Sequence, residues 1–366
     1  MKIGVPKEIK NNENRVGLTP EAAASLVEHG HSVFIESSSG SGIGFFDQDY
    51  MNVGCQILAG AREIYDSSEL IIKVKEPMES EIEYLDASKT LFTYLHLAGN
   101  PILADKLINS GVKGIAYETV TSSDGSFPLL APMSAIAGQI GFNVGNYFLL
   151  KQNQGRGVLL GSLDGMNLGL VTIIGCGVAG EEALKKAVQN NVEVNLIDLS
   201  EERLDQLKEK YQNHKINFIH STPESIHSSI KESDLVLGCV YSLGKNAPKV
   251  VSDAMLDSMK PGSVMVDISI DQGGCFETSS PTTHDAPTFI HKDIVHYCVT
   301  NMPGAVPLTA TNALNRATLK YIHDLANKGI DAALSDDEHL MNGLNIQDGV
   351  VVNTLVKEAL DELKHQ

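Results

Sequence analysis

Short apolar runs alternate with amphipathic helical patterns along the first third of the chain. The runs have strand length and cover residues 2–6, 31–36, 70–74, 90–95 and 113–117. One helical pattern begins after Thr19, a good N-cap, with Pro20 at the first helical position. Strands that alternate with helices at this spacing predict a parallel sheet covered by helices on both faces.

A second set of apolar runs follows a long helical pattern at about residues 133–152. This pattern contains Gly138, Gly141 and Gly145, which predict a helix face that packs closely. The later strand candidates end before Gly175 and at Asp198, and then cover residues 216–219, 235–239, 263–267 and 295–299. Helical patterns at about residues 309–327 and 350–363 do not extend this second sheet, so we expect them to return to the first domain.

These patterns predict an α/β fold of two Rossmann-like domains with parallel sheets. Residues 131–306 form the inserted domain, which is entered through the long helix at about 133–152. Residues 1–130 and 307–366 form the discontinuous domain that receives it.

The glycine-rich turn in the inserted domain is the strongest functional signal. Gly175, Gly177 and Gly180 form G-x-G-x-x-G between a strand and a helix, and Asp198 follows Gly175 by 23 positions. Such glycines allow a tight turn and close approach of a pyrophosphate, while the acid accepts hydrogen bonds from ribose hydroxyls. The segment therefore predicts dinucleotide binding. Asp198 favours NAD because it repels a 2′-phosphate, whereas Arg203 keeps NADP open as an alternative.

Composition narrows the partners and the compartment. The formal net charge of −18 argues against nucleic acid, and no apolar run is long enough to predict a membrane span. The N-terminus has no signal-peptide core. Five scattered cysteines without a C-x-x-C pair fit a reducing cytoplasm, and Cys275 and Cys298 are expected to be buried. His284, His291 and His296 lack metal-ligand spacing, so no metal site is expected.

Three polar residues follow strands of the first domain. Arg15 lies in the loop after the first strand, and Lys75 and His96 stand at the ends of two later strands. Because ligands of open α/β sheets bind beyond the carboxyl ends of the strands, we expect these side chains on one rim. Two cations and an imidazole predict a small anionic substrate and proton transfer. Lys73 is an alternative to Lys75, but its mid-strand position favours an outward-facing role.

Two turns of the inserted domain follow strands in the same way. Asp267 and Asp271 both lie near the end of one strand, and either could face a nicotinamide. Asn301 and Met302 follow another strand and could contact the nicotinamide amide and ring. Ordinary connecting turns remain an alternative for both segments.

Several motifs resemble the family of alanine dehydrogenase and the pyridine nucleotide transhydrogenase alpha subunit. They extend over nearly the whole chain and cover residues 1–8, 14–20, 73–77, 94–98, 132–138, 271–278, 281–284 and 296–307. The resemblance is to alanine dehydrogenase in particular, and the transhydrogenase subunit is more distant. It implies NAD-dependent, reversible oxidative deamination of L-alanine to pyruvate and ammonium. Hydride passes between the substrate Cα and nicotinamide in a cleft between the domains.

The resemblance also implies roles for particular residues. Arg15 and Lys75 would hold the substrate carboxylate and carbonyl region. His96 and Asp271 would transfer protons. Lys75 would be a catalytic residue as well as a substrate-binding one. The cofactor positions would be Ser134, Gly175, Gly177, Val178, Ala179, Gly180, Asp198, Arg203, Ser221, Val240, Tyr241, Ile268, Asp271, Asn301 and Met302. The resemblance also implies a cytoplasmic homohexamer, which is the usual state of the family.

Four departures from the family pattern lie in or near the cofactor domain. They are the segments 161–169 and 242–246, Cys176 in place of a glycine, and Ser280 in place of an arginine. They keep two alternatives open: a dehydrogenase of another small amino acid, and a regulatory NAD-binding subunit with weakened catalysis. A regulatory subunit has no need of a proton shuttle, which makes the catalytic interpretation the stronger one.

Overall fold

A computed structural model describes residues 1–242 and 246–364 and divides the chain into two compact units. The first unit contains Met1–Met133 and Val306–Gln366, and the second contains Ser134–Ala305. Each unit is built on its own mostly parallel sheet, which confirms the predicted α/β class with one unit inserted into the other.

The strands are short, and most follow the apolar runs. In chain order they are β1 (Lys2–Val5), β2 (Ser32–Glu36), β3 (Gln56–Leu58), β4 (Leu70–Ile72), β5 (Thr90–Thr93), β6 (Lys113–Ala116), β7 (Gly161–Leu163), β8 (Met166–Leu168), β9 (Leu170–Ile174), β10 (Glu193–Asp198), β11 (Ile216–His220), β12 (Leu235–Gly238), β13 (Val264–Asp267), β14 (Thr288–His291), β15 (Ile294–Tyr297), β16 (Leu344–Gln347) and β17 (Val350–Val351).

The helices separate these strands. In chain order they are α1 (Pro20–Glu28), α2 (Asp47–Asn52), α3 (Ala61–Ser67), α4 (Glu79–Ile82), α5 (Pro101–Ser110), α6 (Ala131–Phe148), α7 (Val178–Gln189), α8 (Glu201–Lys210), α9 (Pro223–Glu232), α10 (Pro307–Lys328), α11 (Ile330–Asp336), α12 (Glu338–Met341) and α13 (Thr354–Lys364). Thr19 caps α1 as predicted, with its side chain accepting from the Ala22 amide at 3.1 Å. No described helix is both long and apolar enough to cross a membrane.

The sheet of the first unit has the strand order β17-β16-β6-β5-β4-β1-β2-β3. The strands β1 to β6 pair in parallel, and all of them except β3 were predicted. The central strand β4 is apolar and fully buried along its length, which is typical of a parallel strand covered on both faces. The edge strands β16 and β17 are antiparallel and were not predicted.

The last predicted helix begins later than expected. Its pattern started at residue 350, but Val350–Val351 is strand β17 and α13 begins at Thr354. Asp348 and Gly349 connect β16 to β17 with φ of 51° and 72°, the left-handed backbone of a tight hairpin. Val356, Ala359 and Leu360 of α13 are buried, and they lie at helical spacing.

The sheet of the second unit has the order β11-β10-β9-β12-β13-β15-β14. It is parallel except for the edge hairpin β14–β15, which turns through Lys292 and Asp293 with positive φ. The strand order reverses direction at β9, so the crevice beyond its carboxyl end is the expected ligand position in a doubly wound sheet. The predicted open sheet is therefore confirmed, with β14 as an unpredicted addition.

The glycines of α6 form a close-packing face, as predicted. A Cβ on Gly138 would lie 2.1 Å from the Ala179 carbonyl oxygen, and one on Gly145 would lie 2.4 Å from Leu235 Cδ1. A Cβ on Gly141 would lie 2.7 Å from Ile268. Helix α6 ends at Phe148, a few residues before the predicted end.

Candidate active site

Arg15, Lys75 and His96 follow three neighbouring strands of the first sheet. Strands β1, β4 and β5 lie side by side and run in parallel, so their carboxyl ends share one edge. Lys75 follows β4 by three residues and His96 follows β5 by three, while Arg15 lies in the loop after β1. The fold thus brings the three sequence-predicted side chains to the same rim.

Arg15 is buried and held by an acidic neighbour. Its Nε donates to Glu13 Oε1 at 2.7 Å, and Nη2 donates to Glu13 Oε2 at 2.5 Å. Nη1 lies 3.2 Å from the Met133 sulfur. This bidentate pair fixes the guanidinium, and burial without such a partner would be costly. Because Glu13 offsets the charge of Arg15, a second cation is needed to give the rim a net attraction for an anion.

Lys75 supplies that second cation. Lys75 is only 7% exposed. Hydrogen bonds hold its backbone at both the amide and the carbonyl group. Glu8 Oε1 accepts from the Val74 amide at 2.6 Å and from the Lys75 amide at 3.3 Å. The Lys75 carbonyl accepts from Thr93 Oγ1 at 3.0 Å. These hydrogen bonds fix the Lys75 backbone. Only the torsions of the side chain then determine where the ammonium group lies.

The outward-facing role expected for Lys73 is wrong. Lys73 is fully buried and donates to Glu8 Oε2 at 3.1 Å and to Glu81 Oε1 at 2.8 Å. Burial acts to lower the pKa of Lys73, but the two carboxylates outweigh it and raise the pKa above its ordinary value. The residues after β4 are buried on both sides, so strand alternation does not carry Lys73 to the surface. Lys73 stabilises the same carboxylate that holds the Lys75 backbone.

Glu76 adds a negative charge beside Lys75. Its Oε1 accepts from Lys10 Nζ at 2.6 Å. Burial acts to raise the pKa of Glu76, but the charges of Lys75, Lys10 and His96 outweigh it and lower the pKa. The carboxylate is therefore ionised in the neutral range.

His96 is exposed and has an unusual backbone. Its φ of 50° and ψ of 37° place it in the left-handed region, which few residues other than glycine occupy. Its imidazole stacks on the ring of Tyr94, with centroids 5.7 Å apart and an angle of 7° between the planes. The Glu118 carboxylate accepts from the His96 amide at 2.6 Å. The imidazole is thus accessible for proton transfer while its backbone is held.

The glycine-rich turn of the second unit has the geometry of a phosphate cradle. Gly175 has φ of 97°, and a Cβ on Gly180 would lie 1.9 Å from the Gly175 carbonyl oxygen. Gly177 is the N-cap of α7, makes no side-chain cap and has open space where a Cβ would lie. Helix N-termini with uncapped amides attract phosphates, so these residues fit a dinucleotide.

Asp198 ends β10 beside this turn, as predicted. Its Oδ2 accepts from the Cys176 amide at 2.5 Å, and its Oδ1 accepts from the Ser200 amide at 2.9 Å. Arg203 Nε donates to the Cys176 carbonyl at 2.9 Å, and Nη2 pairs with Glu181. The charge of Arg203 is therefore offset within the turn.

The other candidate cofactor residues lie mostly along one edge of the second sheet. Ser221, Val240 and Ile268 directly follow the carboxyl ends of β11, β12 and β13 or lie within two residues of them. Val178 and Ala179 open α7, and Tyr241 is exposed next to Val240. Ser134 lies on α6, one turn before the contact of Gly138 with Ala179. The parallel sheet thus gathers residues that are far apart in sequence.

The structure separates the roles of Asp267 and Asp271. Asp267 is fully buried and accepts from the amides of Cys275 and Phe276 and from the Ser279 hydroxyl. Burial raises the pKa of Asp267. These bonds give it a structural role at the turn after β13, so Asp267 does not face a ligand.

Asp271 is exposed, and the turn after β15 lies beside it. The Asn301 amide approaches the two Asp271 carboxylate oxygens at 3.3 and 3.4 Å. Asn301 has φ of 60°, and Met302 is buried. Of the two acids that the sequence left open, Asp271 is the one that can reach a bound molecule.

The sequence interpretation missed several residues that shape the first rim. Glu13, Glu8, Tyr94 and Glu118 each contact a predicted site residue or its backbone. Glu118 follows β6, the strand next to β5, so the strand-end rule could have found it. The contacts of Glu8 and Glu13 depend on loop conformation, which no local sequence pattern predicts.

Both parts of the chain match the domains of one known family. Residues 4–137 match the family of the alanine dehydrogenase/PNT N-terminal domain, and residues 142–354 match its C-terminal domain. The chain belongs to the alanine dehydrogenase/PNT family. The resemblance drawn from the motifs is thereby confirmed, and this family implies a pyridine nucleotide cofactor.

Relatives within the alanine dehydrogenase/PNT family cover almost the whole chain. An alanine dehydrogenase from Halomonas elongata is 48% identical over 98% of this chain and 96% of its own. Alanine dehydrogenase 2 from Staphylococcus aureus is 49% identical over 99% of this chain and 97% of its own. A solved L-alanine dehydrogenase has a TM-score of 0.93 at 45% identity and covers 99% of this chain and 100% of its own. A transhydrogenase from Sinorhizobium meliloti, at 21% identity and a TM-score of 0.80 over 97% of this chain and 99% of its own, shares the fold.

The structure shows where most of the departures from the alanine dehydrogenase/PNT pattern lie. Cys176 is buried and has no positive φ, so its backbone does not require glycine. The segment 161–169 contains the hairpin β7–β8, and Ser280 is exposed. The altered segment 242–246 falls largely outside the described residues, which stop at 242 and resume at 246.

The cysteines and histidines show no metal chemistry in the described ranges. All five cysteines are free and buried, including Cys275 and Cys298. His284, His291 and His296 have separate hydrogen-bond partners. Within residues 1–242 and 246–364, no group of three His, Cys, Asp or Glu side chains is placed to hold a metal ion.

Proposed function

We propose that this chain catalyses the NAD-dependent oxidative deamination of L-alanine to pyruvate and ammonium, and the reverse reductive amination. The main support is the convergence of Arg15, Lys75 and His96 on one sheet edge, in a chain nearly half identical to two alanine dehydrogenases. Overall, alanine, NAD⁺ and water give pyruvate, ammonium, NADH and a proton.

The first step in the proposal is recognition of the substrate carboxylate. Glu13 holds one edge of the Arg15 guanidinium, and this fixed cation would orient the substrate carboxylate. Lys75 supplies the positive charge that the Arg15–Glu13 pair lacks, and it polarises the carbonyl of pyruvate in the reverse direction. A pair of donors on neighbouring strands orients a small anion more precisely than either donor alone.

The second step is proton transfer. The substrate ammonium group must lose a proton before the Cα–H bond can release hydride, and water must then add to the imine and the carbinolamine must collapse. His96 has an exposed imidazole, a side chain that can both accept and donate these protons. Asp271 has an exposed carboxylate and is the second proposed proton-transfer group.

The cofactor, when bound, accepts hydride from the substrate Cα. Gly175, Gly177 and Gly180 would hold its pyrophosphate, and Asp198 would accept from the ribose hydroxyls. The remaining proposed contacts come from Ser134, Val178, Ala179, Arg203, Ser221, Val240, Tyr241, Ile268, Asp271, Asn301 and Met302. NAD is favoured over NADP because Asp198 would repel a 2′-phosphate and Arg203 is paired with Glu181.

We also propose a cytoplasmic homohexamer, as the family resemblance implies. Five free, buried cysteines support a reducing compartment.

The activity is tested with the purified chain. L-Alanine and NAD should generate reduced nicotinamide, read by absorbance between neutral and alkaline pH, and pyruvate with ammonium should consume it. Glycine, serine and larger amino acids serve as the substrate panel. Faster turnover of another amino acid would transfer the proposal to that substrate, and NAD binding without any turnover would refute the catalytic assignment.

Replacing Asp198 with serine should reduce the preference for NAD over NADP. The variant loses a charge-assisted acceptor worth about 1.5–3 kcal/mol. We therefore expect the ratio of kcat/KM for NAD to that for NADP to fall by roughly 10- to 100-fold. Asp205→Ser on α8 removes the same charge from an exposed position and should leave the ratio unchanged. An unaltered ratio in Asp198→Ser would show that another group selects the cofactor.

A further inference from the structure

The left-handed turn at His96 needs an external support. With φ of 50° and ψ of 37°, this residue adopts a conformation in which its Cβ crowds the backbone. Such conformations persist where the surroundings fix them, and they concentrate at functional sites. The short turn Leu97–Gly99 follows directly. The backbone conformation of His96 therefore sets the direction in which its imidazole projects.

Glu118 provides the support from the adjacent strand. It lies in the turn Tyr117–Thr119 after β6, which pairs with β5. Its Oε1 accepts from the His96 amide at 2.6 Å and from the Leu95 amide at 3.3 Å, and Oε2 lies 3.2 Å from the Leu95 amide. Hydrogen bonds to a carboxylate are stronger than those to a neutral acceptor. One side chain thus holds two consecutive amides at the turn.

The ring of His96 is fixed separately. It stacks on Tyr94, whose hydroxyl donates to the Leu129 carbonyl at 2.6 Å. The stacking limits rotation of the imidazole but does not set the backbone from which it projects. The two supports are therefore complementary: Tyr94 orients the ring, and Glu118 orients the backbone.

We propose that Glu118 is a positioning residue that acts through His96, because its carboxylate holds the left-handed turn that aims the imidazole. The inference rests on the proposed function, since it assumes that His96 transfers protons. Glu118 itself is half-buried, and the proposed mechanism uses it only through the backbone of His96.

The test compares Glu118→Ala, which removes the acceptor, with Glu118→Gln, whose Oε1 can still accept from both amides. Asp86→Ala is the matched control. Asp86 is an exposed carboxylate of the same unit that accepts from the Ser88 amide at 2.7 Å. For each full-length variant, three quantities are measured: kcat with L-alanine, the KM for NAD, and hydrogen–deuterium exchange of the Leu95 and His96 amides.

Glu118→Ala should exchange both amides at least about tenfold faster and lower kcat by roughly 10- to 100-fold, the effect of a small misplacement of a reacting group. Its KM for NAD should stay unchanged. Glu118→Gln should remain within about threefold of the parent in both readouts, and Asp86→Ala should match the parent.

An undiminished kcat in Glu118→Ala would overturn the proposal, as would unchanged exchange of the two amides. It would also fail if Glu118→Gln lost as much activity as Glu118→Ala while its amides stayed protected. If the parent chain turned over no amino acid, the proposed function would fail by itself. The exchange data would then decide alone whether Glu118 holds the His96 turn.

Discussion

Replacing His96 with alanine should lower kcat for L-alanine by about 100- to 10,000-fold, the contribution expected of a general acid or base. NAD affinity should stay nearly unchanged, because the proposed cofactor residues lie on other strands. Steady-state kinetics and NAD titration by fluorescence give the two values. His96→Asn should lose as much activity, and asparagine tolerates the left-handed backbone that His96 adopts.

The control for this experiment is His29→Ala. His29 is exposed and precedes β2, at the amino edge of the sheet, whereas His96 follows β5 at the carboxyl edge. Its removal should leave kcat within a factor of about two of the parent, as expected of a surface substitution. A parallel loss of turnover and NAD affinity in His96→Ala would contradict the assigned role, because it would indicate a general structural effect.

Replacing Lys73 with methionine should destabilise the first unit by about 3–5 kcal/mol, because it leaves two buried carboxylates without their cation. Glu8 and Glu81 would then lose the ammonium group to which both are paired in this buried site. Urea unfolding, followed by a probe in the first unit, measures the loss.

A variant in which Lys73, Glu8 and Glu81 are all replaced by neutral residues provides the comparison for this loss of stability. Lys73→Met combined with Glu8→Gln and Glu81→Gln should recover much of the stability, since no buried charge is left unpaired. Lys106→Met breaks the exposed pair with Glu79 in the same unit and should cost less than about 1 kcal/mol. Equal losses in Lys73→Met and Lys106→Met would refute the importance of the buried triad.

Most of the parallel framework could be predicted because its signals are local. The apolar runs before Lys75 and His96 identified β4 and β5, and the rule for strand ends then predicted their common edge. The glycine spacing and Asp198 identified the cofactor turn for the same reason: each member of the motif is a short distance away along the chain.

The points that the sequence predicted wrongly or left open depended mainly on contacts between separate parts of the chain. The role of Lys73 required knowing that Glu8 and Glu81 meet behind β4, and alternation along a strand carries no such information. The choice between Asp267 and Asp271 required the fold of the turn around Cys275. The hairpin at Asp348 and Gly349 is different, because an Asp-Gly pair is a local turn signal that the helical pattern after residue 350 obscured.

The insertion of the second unit into the first sets an order for folding on the ribosome. Residues 134–305 are all synthesised before Val306, so the second unit can fold while the first lacks its final segment. Until residues 344–347 emerge, β6 has an unpaired edge, and the Thr19 amide lacks the Asn315 side chain that accepts from it at 2.8 Å. An open strand edge is a site for unwanted pairing with other chains. The first unit, which carries Arg15, Lys75 and His96, therefore keeps this open edge until residues 344–347 have been synthesised.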